Sequence, residues 1–173
     1  AEGWKEFSII SGFTVISGRC GDSITWALYN SGNLTLSGSG EMWNYVYDDS
    51  PFKDYEIRKA TIEDGITSIG KYAFYGCSGL TELILPNSVT SIEEKAFSDC
   101  SGLAKITSLA EIPPVCSSNV FDGVNKINCE LIVPEGSVAA YNQAEVWNEF
   151  SNISGFSGVE DTVADGNTIR VIG

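Results

Sequence analysis

The sequence contains no histidine, and positively charged residues are few. Histidine is the commonest general base and metal ligand near neutral pH, so its absence removes the serine and cysteine hydrolase dyads and most zinc sites. Ten Lys and Arg residues stand against 23 Asp and Glu residues, which gives a formal net charge of −13. Nucleic acids and anionic membrane surfaces are therefore poor partners, because binding to either relies on clustered Lys and Arg.

Long apolar runs and paired cysteine motifs are also missing. No stretch of about 18 consecutive apolar residues occurs, so the sequence predicts no transmembrane segment. The five cysteines include no Cys-x-x-Cys pair, which argues against a metal cluster or a redox motif. The acidic doublets do not match a calcium-binding loop either, so the sequence predicts no cofactor. A packed core is still expected, because 43% of the 173 residues are hydrophobic.

The most informative feature that is present is a repeat of 23 residues. Residues 60–80 read ATIEDGITSIGKYAFYGCSGL, and residues 83–103 read LILPNSVTSIEEKAFSDCSGL. The Thr-Ser-Ile, Ala-Phe and Cys-Ser-Gly-Leu segments of the two copies all lie 23 residues apart. A period of roughly 20–29 residues with one short strand per repeat is typical of leucine-rich repeats. Because one such unit cannot bury its apolar face alone, the units are expected to stack and share a core.

Two weaker units follow the clear pair. In residues 106–123, which read ITSLAEIPPVCSSNVFDG, Ile112 and Val115 keep the period and Phe121 arrives one residue late. The segment ELIVPEGS at 130–137 matches ELILPNS in the second unit. Terminal repeats diverge because they must also act as caps. Stacking the units predicts one inward column of apolar side chains: Ala60, Leu83, Ile106 and Leu131.

The two ends of the array carry different secondary-structure signals. Residues 24–37 hold two alternating segments around a Ser-Gly turn, which predicts a β-hairpin that covers the first repeat. At the other end, Ala140, Ala144 and Trp147 fall on one face of a predicted helix, and Ser137 is placed to cap it. The sequence thus predicts a hairpin cap before the repeats and a helical cap after them.

A twelve-residue phrase occurs twice. AEGWKEFSIISG at 1–12 and AEVWNEFSNISG at 144–155 are identical at nine positions. The first copy is interpreted as a remnant of the capping helix of a preceding module, and a frayed terminus is the alternative. A further hypothesis is self-association, in which this N-terminal stub packs into a neighbouring copy. Four domains are predicted. Residues 1–19 are a stub of the preceding module's capping helix with a linker, and residues 20–57 are the hairpin cap. Residues 58–155 are the repeats with their terminal cap, and residues 156–173 are a linker and the start of a following element.

The repeat motif resembles a known family. The segment LILPNSVTSIEEKAFSDCSGL is similar to the BspA-like leucine-rich repeats of bacterial cell-surface proteins. The resemblance implies a mostly β (α+β) solenoid with a short array, an N-terminal β-hairpin cap and a C-terminal helical cap. It also implies an exported bacterial protein, extracellular or at the cell surface. The implied function is non-catalytic adhesion, with host matrix proteins or other cell surfaces as partners.

Outward-facing side chains of the repeat strands are the predicted contact with a protein partner. Aligned strands place Thr61, Ile84, Thr107 and Ile132 in one outward row. In this row the exposed isoleucines indicate a partner contact, although single exposed apolar residues are also normal. The preceding row alternates in sign, so neighbouring strands should form cross-strand ion pairs. Its members are Lys59, Glu82, Lys105 and Glu130.

Tyrosines supply a second candidate contact. Tyr72 and Tyr75 flank the Ala-Phe pair of the first repeat, and the second repeat has Lys and Ser there, so both tyrosines should face outward. Paired exposed tyrosines are good binding anchors, but they could equally pack on the hairpin or on Tyr55. The alternating Trp43, Tyr45 and Tyr47 suit either a glycan or peptide contact or packing on the end of the stack.

Cysteines in the array have two predicted roles. Cys77 and Cys100 share one repeat position and are expected to be buried thiols, although adjacent repeats could also bring them within disulfide range. Cys116 and Cys129 flank the third unit, and the family resemblance implies that an exported chain joins them in a disulfide.

Two other function classes stay open from the sequence. The chain could be a structural spacer that positions other domains and has no ligand of its own. It could also be a module that binds or acts on glycans, although the sequence offers no evident pair of catalytic carboxylates in a cleft.

Overall fold

The chain folds into stacked β-strand turns. The computed structural model describes residues 6–10, 13–157, 159–162 and 168–171, with side chains described over residues 15–157. Fifteen strands occur in these described ranges. In chain order they are Glu6–Ile10 (β1), Phe13–Arg19 (β2), Ile24–Tyr29 (β3), Asn33–Gly38 (β4), Gly40–Glu41 (β5), Lys59–Ile62 (β6), Ile66–Ile69 (β7), Glu82–Leu85 (β8), Ser91–Ile92 (β9), Lys105–Ser108 (β10), Val115–Cys116 (β11), Glu130–Pro134 (β12), Asn152–Phe156 (β13), Val159–Thr162 (β14) and Thr168–Val171 (β15).

A nine-stranded sheet forms one wall of the fold, in the order β1-β2-β3-β4-β6-β8-β10-β12-β13. Within β1 to β4 each strand is antiparallel to its neighbour in the sheet. From β4 onward every neighbouring pair is parallel. The predicted hairpin, β3 and β4, is confirmed, and Gly32 in its turn has a φ of +83°, which glycine adopts without strain. The hairpin also does more than cover the repeats, because β4 is itself the first strand of the parallel array.

A four-stranded parallel sheet, β11-β9-β7-β5, forms the second wall. Each full repeat supplies one strand to each sheet and then a turn that carries the Ala-Phe pair. Along β8 the burial alternates, with Leu83 and Leu85 buried and Glu82 and Ile84 half-buried. The core therefore lies between the two sheets and the turns. The expected mostly β solenoid is confirmed, with about five turns.

Two inward columns hold the turns together. The predicted strand column is completely buried at Ala60, Leu83, Ile106 and Leu131. A second column consists of stacked aromatic rings, the aromatic ladder: Phe52, Phe74, Phe97, Phe121 and Trp147. Successive ring centroids in this ladder lie 4.8, 4.9, 5.7 and 5.4 Å apart. Such contacts suit the offset-stacked and edge-on geometries that aromatic pairs prefer.

The third repeat departs from the predicted register. Strand pairing places Cys116 beside Ile92 and Val115 beside Ser91, so the offset between units is 24 residues at this point. Ile112 and Val115 are consequently 82% and 75% exposed, and the prediction that they keep the apolar period is wrong. The residue that delays Phe121 is thus inserted upstream of β11. Cys116 takes the inward position that Val115 was expected to hold.

The C-terminal helical cap is shorter than predicted. It consists of one α-helical turn, Val138–Tyr141 (α1), between two 3₁₀ turns at Glu135–Ser137 and Trp147–Glu149. Val146 has a φ of +71°, a left-handed conformation in which a right-handed helix cannot continue. A continuous helix over this segment is therefore ruled out.

The predicted apolar face of this cap is also wrong in part. Ala140 is exposed, whereas Tyr141 and Trp147 are buried. Ser137 does not cap a helix through its side chain, because its hydroxyl donates to the Glu111 carbonyl at 2.7 Å. The cap is therefore held by side-chain hydrogen bonds into the third repeat and by two large aromatic side chains.

These hydrogen bonds hold the backbone of the third repeat against the C-terminal cap. The Trp147 indole nitrogen donates to the Pro114 carbonyl at 2.8 Å. The Tyr141 hydroxyl donates to the Ala110 carbonyl at 3.0 Å and lies 2.7 Å from the Ser108 hydroxyl. The third repeat thus trades its regular period for contacts with the terminal cap, as expected for an end repeat.

Replacing Trp147 with phenylalanine should lower the free energy of unfolding by about 2–3 kcal/mol. The smaller ring keeps part of the packing, but the buried Pro114 carbonyl loses its donor. Chemical denaturation measures the change. Trp43→Phe is the matched control, because that indole donates to Asp22 at 3.0 Å in a hydrogen bond that is exposed. A loss as large in the control would contradict the role of burial.

Sequence expectations for both chain ends are only partly described by the structure. Residues 6–10 form β1 and not a helix, so the helical interpretation of the first copy of the duplicated phrase is wrong over that range. The rest of the phrase, 1–5 and 11–12, lies outside the described residues. Residues 159–162 and 168–171 form a two-stranded antiparallel sheet within the predicted linker and following element. The division into four domains stays a prediction, although β4 and β6 pair across the boundary proposed at residue 57.

All five cysteines are free thiols in this structure. Cys116 lies on β11, where its thiol contacts the Pro114 carbonyl at 3.6 Å. Cys129 directly precedes β12 of the other sheet, and its thiol contacts the Glu130 carbonyl at 3.9 Å. The disulfide between Cys116 and Cys129 is therefore not formed here and stays a prediction for an oxidised form of the chain. Cys77 and Cys100 are buried thiols, as expected.

Candidate functional site

The predicted outward row exists as a continuous line of neighbouring side chains. Strand register pairs Thr61 with Ile84, Ile84 with Thr107, and Thr107 with Ile132. All four side chains are half-buried rather than fully exposed. The sequence therefore placed these four residues on the same face of the sheet correctly, and flanking rows shield them in part.

The line extends beyond the four predicted residues in both directions. Thr35 pairs with Thr61 on one side, and Ser154 pairs with Ile132 on the other. Ala27 and Ser17 continue it across the antiparallel strands. We call the following eight half-buried, uncharged residues the outer row: Ser17, Ala27, Thr35, Thr61, Ile84, Thr107, Ile132 and Ser154. Seven strand spacings of about 4.8 Å make it roughly 34 Å long.

Sequence comparison of the repeats missed the members outside them. Thr35 lies in NLTLS, where buried Leu34 and Leu36 alternate with polar residues as Ala60 and Ile62 do in KATI. That alternation was visible, but it was interpreted as a hairpin cap only. The hairpin and the repeats share one sheet, which brings these residues into line.

Open grooves lie along the hairpin end of the outer row. One of about 630 Å³ is lined by Ser17, Ala27 and Thr35 together with Arg19 and Glu63. A second, of about 440 Å³, is lined by Thr35 and Thr61 beside Tyr29 and Lys59. Both grooves include Tyr29 and Thr35, so they are parts of one concave surface.

A row of alternating charge borders the outer row. The Lys59 ammonium lies 3.2 Å from the Glu82 carboxylate. Lys105 pairs in register with Glu82 on one side and with Glu130 on the other. The Lys59–Glu82 ion pair is worth a few tenths of a kcal/mol to about 1 kcal/mol. With two lysines and two glutamates in alternation, the border carries no net charge along the repeats.

The two predicted tyrosines lie elsewhere, in the turn that follows β7. They meet a third tyrosine, Tyr47, which the sequence did not associate with them. Ring centroids are 5.1 Å apart for Tyr47 and Tyr75, 5.5 Å for Tyr72 and Tyr75, and 6.4 Å for Tyr47 and Tyr72. We call these three residues the tyrosine cluster. Tyr47 is 66% exposed, and the other two are half-buried.

Backbone hydrogen bonds explain why Tyr47 reaches this turn. The Tyr45 amide donates to the Lys71 carbonyl at 2.9 Å, and the Lys71 amide donates to the Asn44 side chain at 2.8 Å. The Ser50 hydroxyl donates to the Ala73 carbonyl. The segment between β5 and β6 therefore runs along the turn, and residues 43–47, which hold the alternating aromatics, form no strand.

Charged groups surround the tyrosine cluster. The hydroxyl of Tyr75 is hydrogen-bonded to Asp99, which together with partial desolvation raises the pKa of Tyr75 to about 12. The Lys95 ammonium lies over the ring of Tyr72, 6.0 Å from its centroid. Beside these groups, Lys71 and Glu94 form an ion pair at 3.7 Å.

The repeat turn itself places these side chains. Tyr72 and Lys95 occupy equivalent positions 23 residues apart, and both have a left-handed backbone with φ of +55° and +54°. Asp99 has a φ of +60°, and its equivalents in the first and third repeats are the glycines Gly76 and Gly123. A left-handed backbone is uncommon for residues with a side chain, so the turn geometry is dictated by the stack rather than by local preference.

The family follows from the repeat pattern and its match to known proteins. The family described as BspA type leucine-rich repeat region matches residues 47–146 in six copies, which is more than half of the chain. The chain belongs to the BspA-type leucine-rich repeat family. Repeats of this family form protein-interaction modules, and that is the level of function that membership supports.

One solved structure supports the same fold, and a second is similar over part of its trace. A leucine-rich repeat protein from Eubacterium ventriosum ATCC 27560 matches with a TM-score of 0.52 and 21% identity over 90% of this chain and 48% of that chain. A leucine-rich repeat protein from Bacteroides capillosus ATCC 29799 matches with a TM-score of 0.36 and 20% identity over 78% of this chain and 95% of that chain. The BspA-type chain thus spans about half the length of the Eubacterium protein. No curated protein matches it.

The described part of this BspA-type chain shows neither a metal-binding group nor a membrane-spanning helix. No group of three or more acidic or cysteine side chains in the described part is placed to hold a metal ion. Likewise, the described part contains no helix that is both long and apolar enough to cross a membrane.

Proposed function

We propose that this BspA-type module binds a protein partner with the outer face of its nine-stranded sheet. The observation that carries the proposal is the outer row, an uncharged line that crosses eight strands without interruption. Its middle holds Ile84 and Ile132, on either side of Thr107. A partner that covers this line removes methyl groups from water without stripping water from a charge.

The bordering charges support the same surface. Lys59 and Glu82 already pair at 3.2 Å, so a partner need not supply counter-charges for them. The charged border then acts as a polar rim around an apolar centre, which is the usual arrangement of a protein interface. In this proposal the half-buried side chains lose little conformational freedom on binding, because the parallel sheet already holds them.

The partner and location in the proposal rest on family resemblance. The proposed partners are host matrix proteins or another cell surface, and the proposed location is the outside of a bacterial cell. Tyr72 and Tyr75 stand apart from the outer row, so they would form a separate contact. A structural spacer without a ligand is the alternative. It predicts that the module binds no partner, so a surface substitution that leaves the fold intact changes no binding.

The test is a surface-plasmon-resonance screen of the module against immobilised extracellular matrix proteins, with Ile84→Glu as the variant. Placing a charge at the centre of the row should weaken a saturable interaction at least about 30-fold, the effect of an interface hot spot of about 2 kcal/mol. The melting temperature should stay within a few degrees, because Ile84 faces outward.

Ile127→Glu is the matched control for this screen. Ile127 is 72% exposed in the turn before β12, so the same substitution falls outside the sheet face. The control should bind as the natural chain does. Equal loss in both variants would contradict the outer row as the site, and silence across the whole panel would favour the spacer. Tyr75→Ala tests the separate tyrosine contact in the same assay.

A further inference from the structure

The tyrosine cluster has a geometry that partner binding does not require. Its three rings touch one another at centroid distances of 5.1–6.4 Å, and Tyr47 is 66% exposed. Two tyrosines elsewhere in the described part serve as comparisons: Tyr29 is 42% exposed, and Tyr141 is fully buried, with its ring against Trp147.

We propose that Tyr47 and Tyr75 are the site of an oxidative cross-link, a carbon–carbon bond between the ring carbons next to their hydroxyl groups. The oxidant is of the class of a haem peroxidase with hydrogen peroxide. The geometry points to this pair because one ring comes from the segment between β5 and β6 and the other from the turn after β7. Their centroids lie 5.1 Å apart, and the angle between the ring planes is 62°.

The reaction balances with one peroxide per cross-link. Each phenol gives up one electron and its hydroxyl proton and becomes a phenoxyl radical. The two radicals join at ring carbons, and the hydrogens on those carbons move to the oxygens as the rings regain aromaticity. Hydrogen peroxide takes the two electrons and two protons and leaves as two waters. The protein therefore loses two hydrogen atoms and gains one bond.

Neighbouring charges favour Tyr75 over Tyr72 as the partner of Tyr47. The Tyr75 hydroxyl is hydrogen-bonded to the Asp99 carboxylate, which can take the phenol proton as the electron leaves. The Lys95 ammonium lies 6.0 Å from the Tyr72 ring centroid, and its positive charge opposes removal of an electron from that ring. Tyr72 is also farther from Tyr47, at 6.4 Å.

The bond would fasten two parts of the chain that the structure holds together by hydrogen bonds and by packing such as the stack of Phe52 on Phe74. Tyr47 belongs to the segment between β5 and β6, which the Ser50 and Tyr45 hydrogen bonds hold against the first repeat turn. A cross-link to Tyr75 closes that segment onto the turn covalently. We expect the cross-linked chain to melt at a higher temperature, because closing a loop of this size removes conformations from the unfolded chain.

The experiment treats the full chain, at low protein concentration, with a haem peroxidase and limiting hydrogen peroxide. Dityrosine fluorescence measures the yield, and mass spectrometry of a tryptic digest identifies the joined peptides. The expected product is a monomer that has lost two hydrogens and joins the peptide of residues 20–53 to that of residues 72–95. Tyr47→Phe and Tyr75→Phe should each reduce the fluorescence yield at least about tenfold, because the reaction depends on held neighbours.

Matched variants separate the proposed bond from general tyrosine oxidation. Tyr29→Phe and Tyr72→Phe should keep the yield within about twofold, because neither removes the held pair. Asp99→Asn should lower the initial rate by about tenfold, since an amide is a poor proton acceptor while asparagine tolerates the same left-handed backbone. Far-ultraviolet circular dichroism confirms that each variant is folded.

Three outcomes would overturn the proposal. One is a product made only of chains joined to each other. Another is an equal loss of yield in the Tyr29→Phe control. The third is a cross-link that is lost in Tyr72→Phe and persists in Tyr75→Phe.

Discussion

Replacing Phe97 with alanine should lower the free energy of unfolding by about 4 kcal/mol. Phe97 has no exposed surface and stacks on Phe74 at 4.9 Å and on Phe121 at 5.7 Å, with both ring pairs within 13° of parallel. It is the middle ring of the aromatic ladder, so its loss leaves a cavity that neither neighbouring turn can fill. Urea denaturation at equilibrium, followed by circular dichroism, measures the change.

The same substitution should also weaken the coupling between repeats. In a solenoid each unit contacts its neighbours only, so stability is a sum of unit and interface contributions. A gap at Phe97 separates the turns built on Phe52 and Phe74 from those built on Phe121 and Trp147. We therefore expect a broader transition with a lower m value, because the two halves unfold less cooperatively.

Phe97→Leu is the control for packing at this position. Leucine keeps an apolar side chain of intermediate size, so we expect about half of the loss caused by alanine and an unchanged m value. A two-state transition of normal steepness in Phe97→Ala, with a loss below about 1.5 kcal/mol, would show that the ladder does not carry the stability of the stack.

The inward columns could be predicted from the sequence because stacked repeats share a core only when equivalent positions all face inward. Each unit must bury the same faces as its neighbours, so a 23-residue offset brought Leu83 next to Ala60, and Phe97 next to Phe74. Register follows from the same condition, because a one-residue slip would turn every inward side chain of a strand outward. The outer row was predictable for the same reason, as far as the repeats extend.

The third repeat shows where this reasoning fails. Ile112 and Val115 keep the apolar pattern in sequence, yet they are 82% and 75% exposed. The Pro113-Pro114 pair and one inserted residue shift β11, and the shifted backbone is held by the Trp147 indole at the Pro114 carbonyl. No pattern within the repeat reveals a hydrogen bond from a residue 33 positions away.

The tyrosine cluster was only half predictable. Tyr72 and Tyr75 could be assigned to the surface, because their repeat equivalents are Lys95 and Ser98, although Ser98 is in fact buried. Tyr47 lies outside the repeats, and its place depends on hydrogen bonds such as that of Ser50 with Ala73. A connecting segment has no period, so its partners emerge only from the folded chain.

Raising the pH above about 9 should destabilise the folded chain steeply. Burial raises the pKa of Cys20 and of Cys77 from 9.0 to about 12, and that of Cys129 to about 11. Burial also raises the pKa of Cys116 to about 12 and that of Cys100 well above its ordinary value. Between pH 9.0 and these values the folded state therefore keeps protons that the unfolded state has lost.

The sign follows from proton linkage. Because the folded state binds more protons, its stabilisation by these groups is fully present below pH 9 and is lost as the pH rises towards 12. Each proton contributes about 1.36 kcal/mol per pH unit, so the five thiols together give a slope of about 7 kcal/mol per pH unit. Burial likewise raises the pKa of Tyr141 to about 12, which steepens the loss above pH 10.

Most domains are stable by about 5–15 kcal/mol, so this slope should unfold the chain within roughly one to two pH units above pH 9. Urea unfolding at a series of pH values, with a reductant that keeps every cysteine as a thiol, gives the slope directly. The double variant Cys77→Ala, Cys100→Ala is the decisive comparison. It removes two of the five protonated thiols and should lower the slope by about two fifths, whatever it does to stability at pH 7.

Surface charges cannot produce that decrease. Surface ion pairs such as Lys59 with Glu82 contribute at most about 1 kcal/mol each. They are also unchanged in the double variant. An unaltered slope in that variant would therefore assign the alkaline transition to surface groups. A slope lowered by about two fifths would show that the buried Cys77 and Cys100 thiols must stay protonated for the solenoid to remain folded.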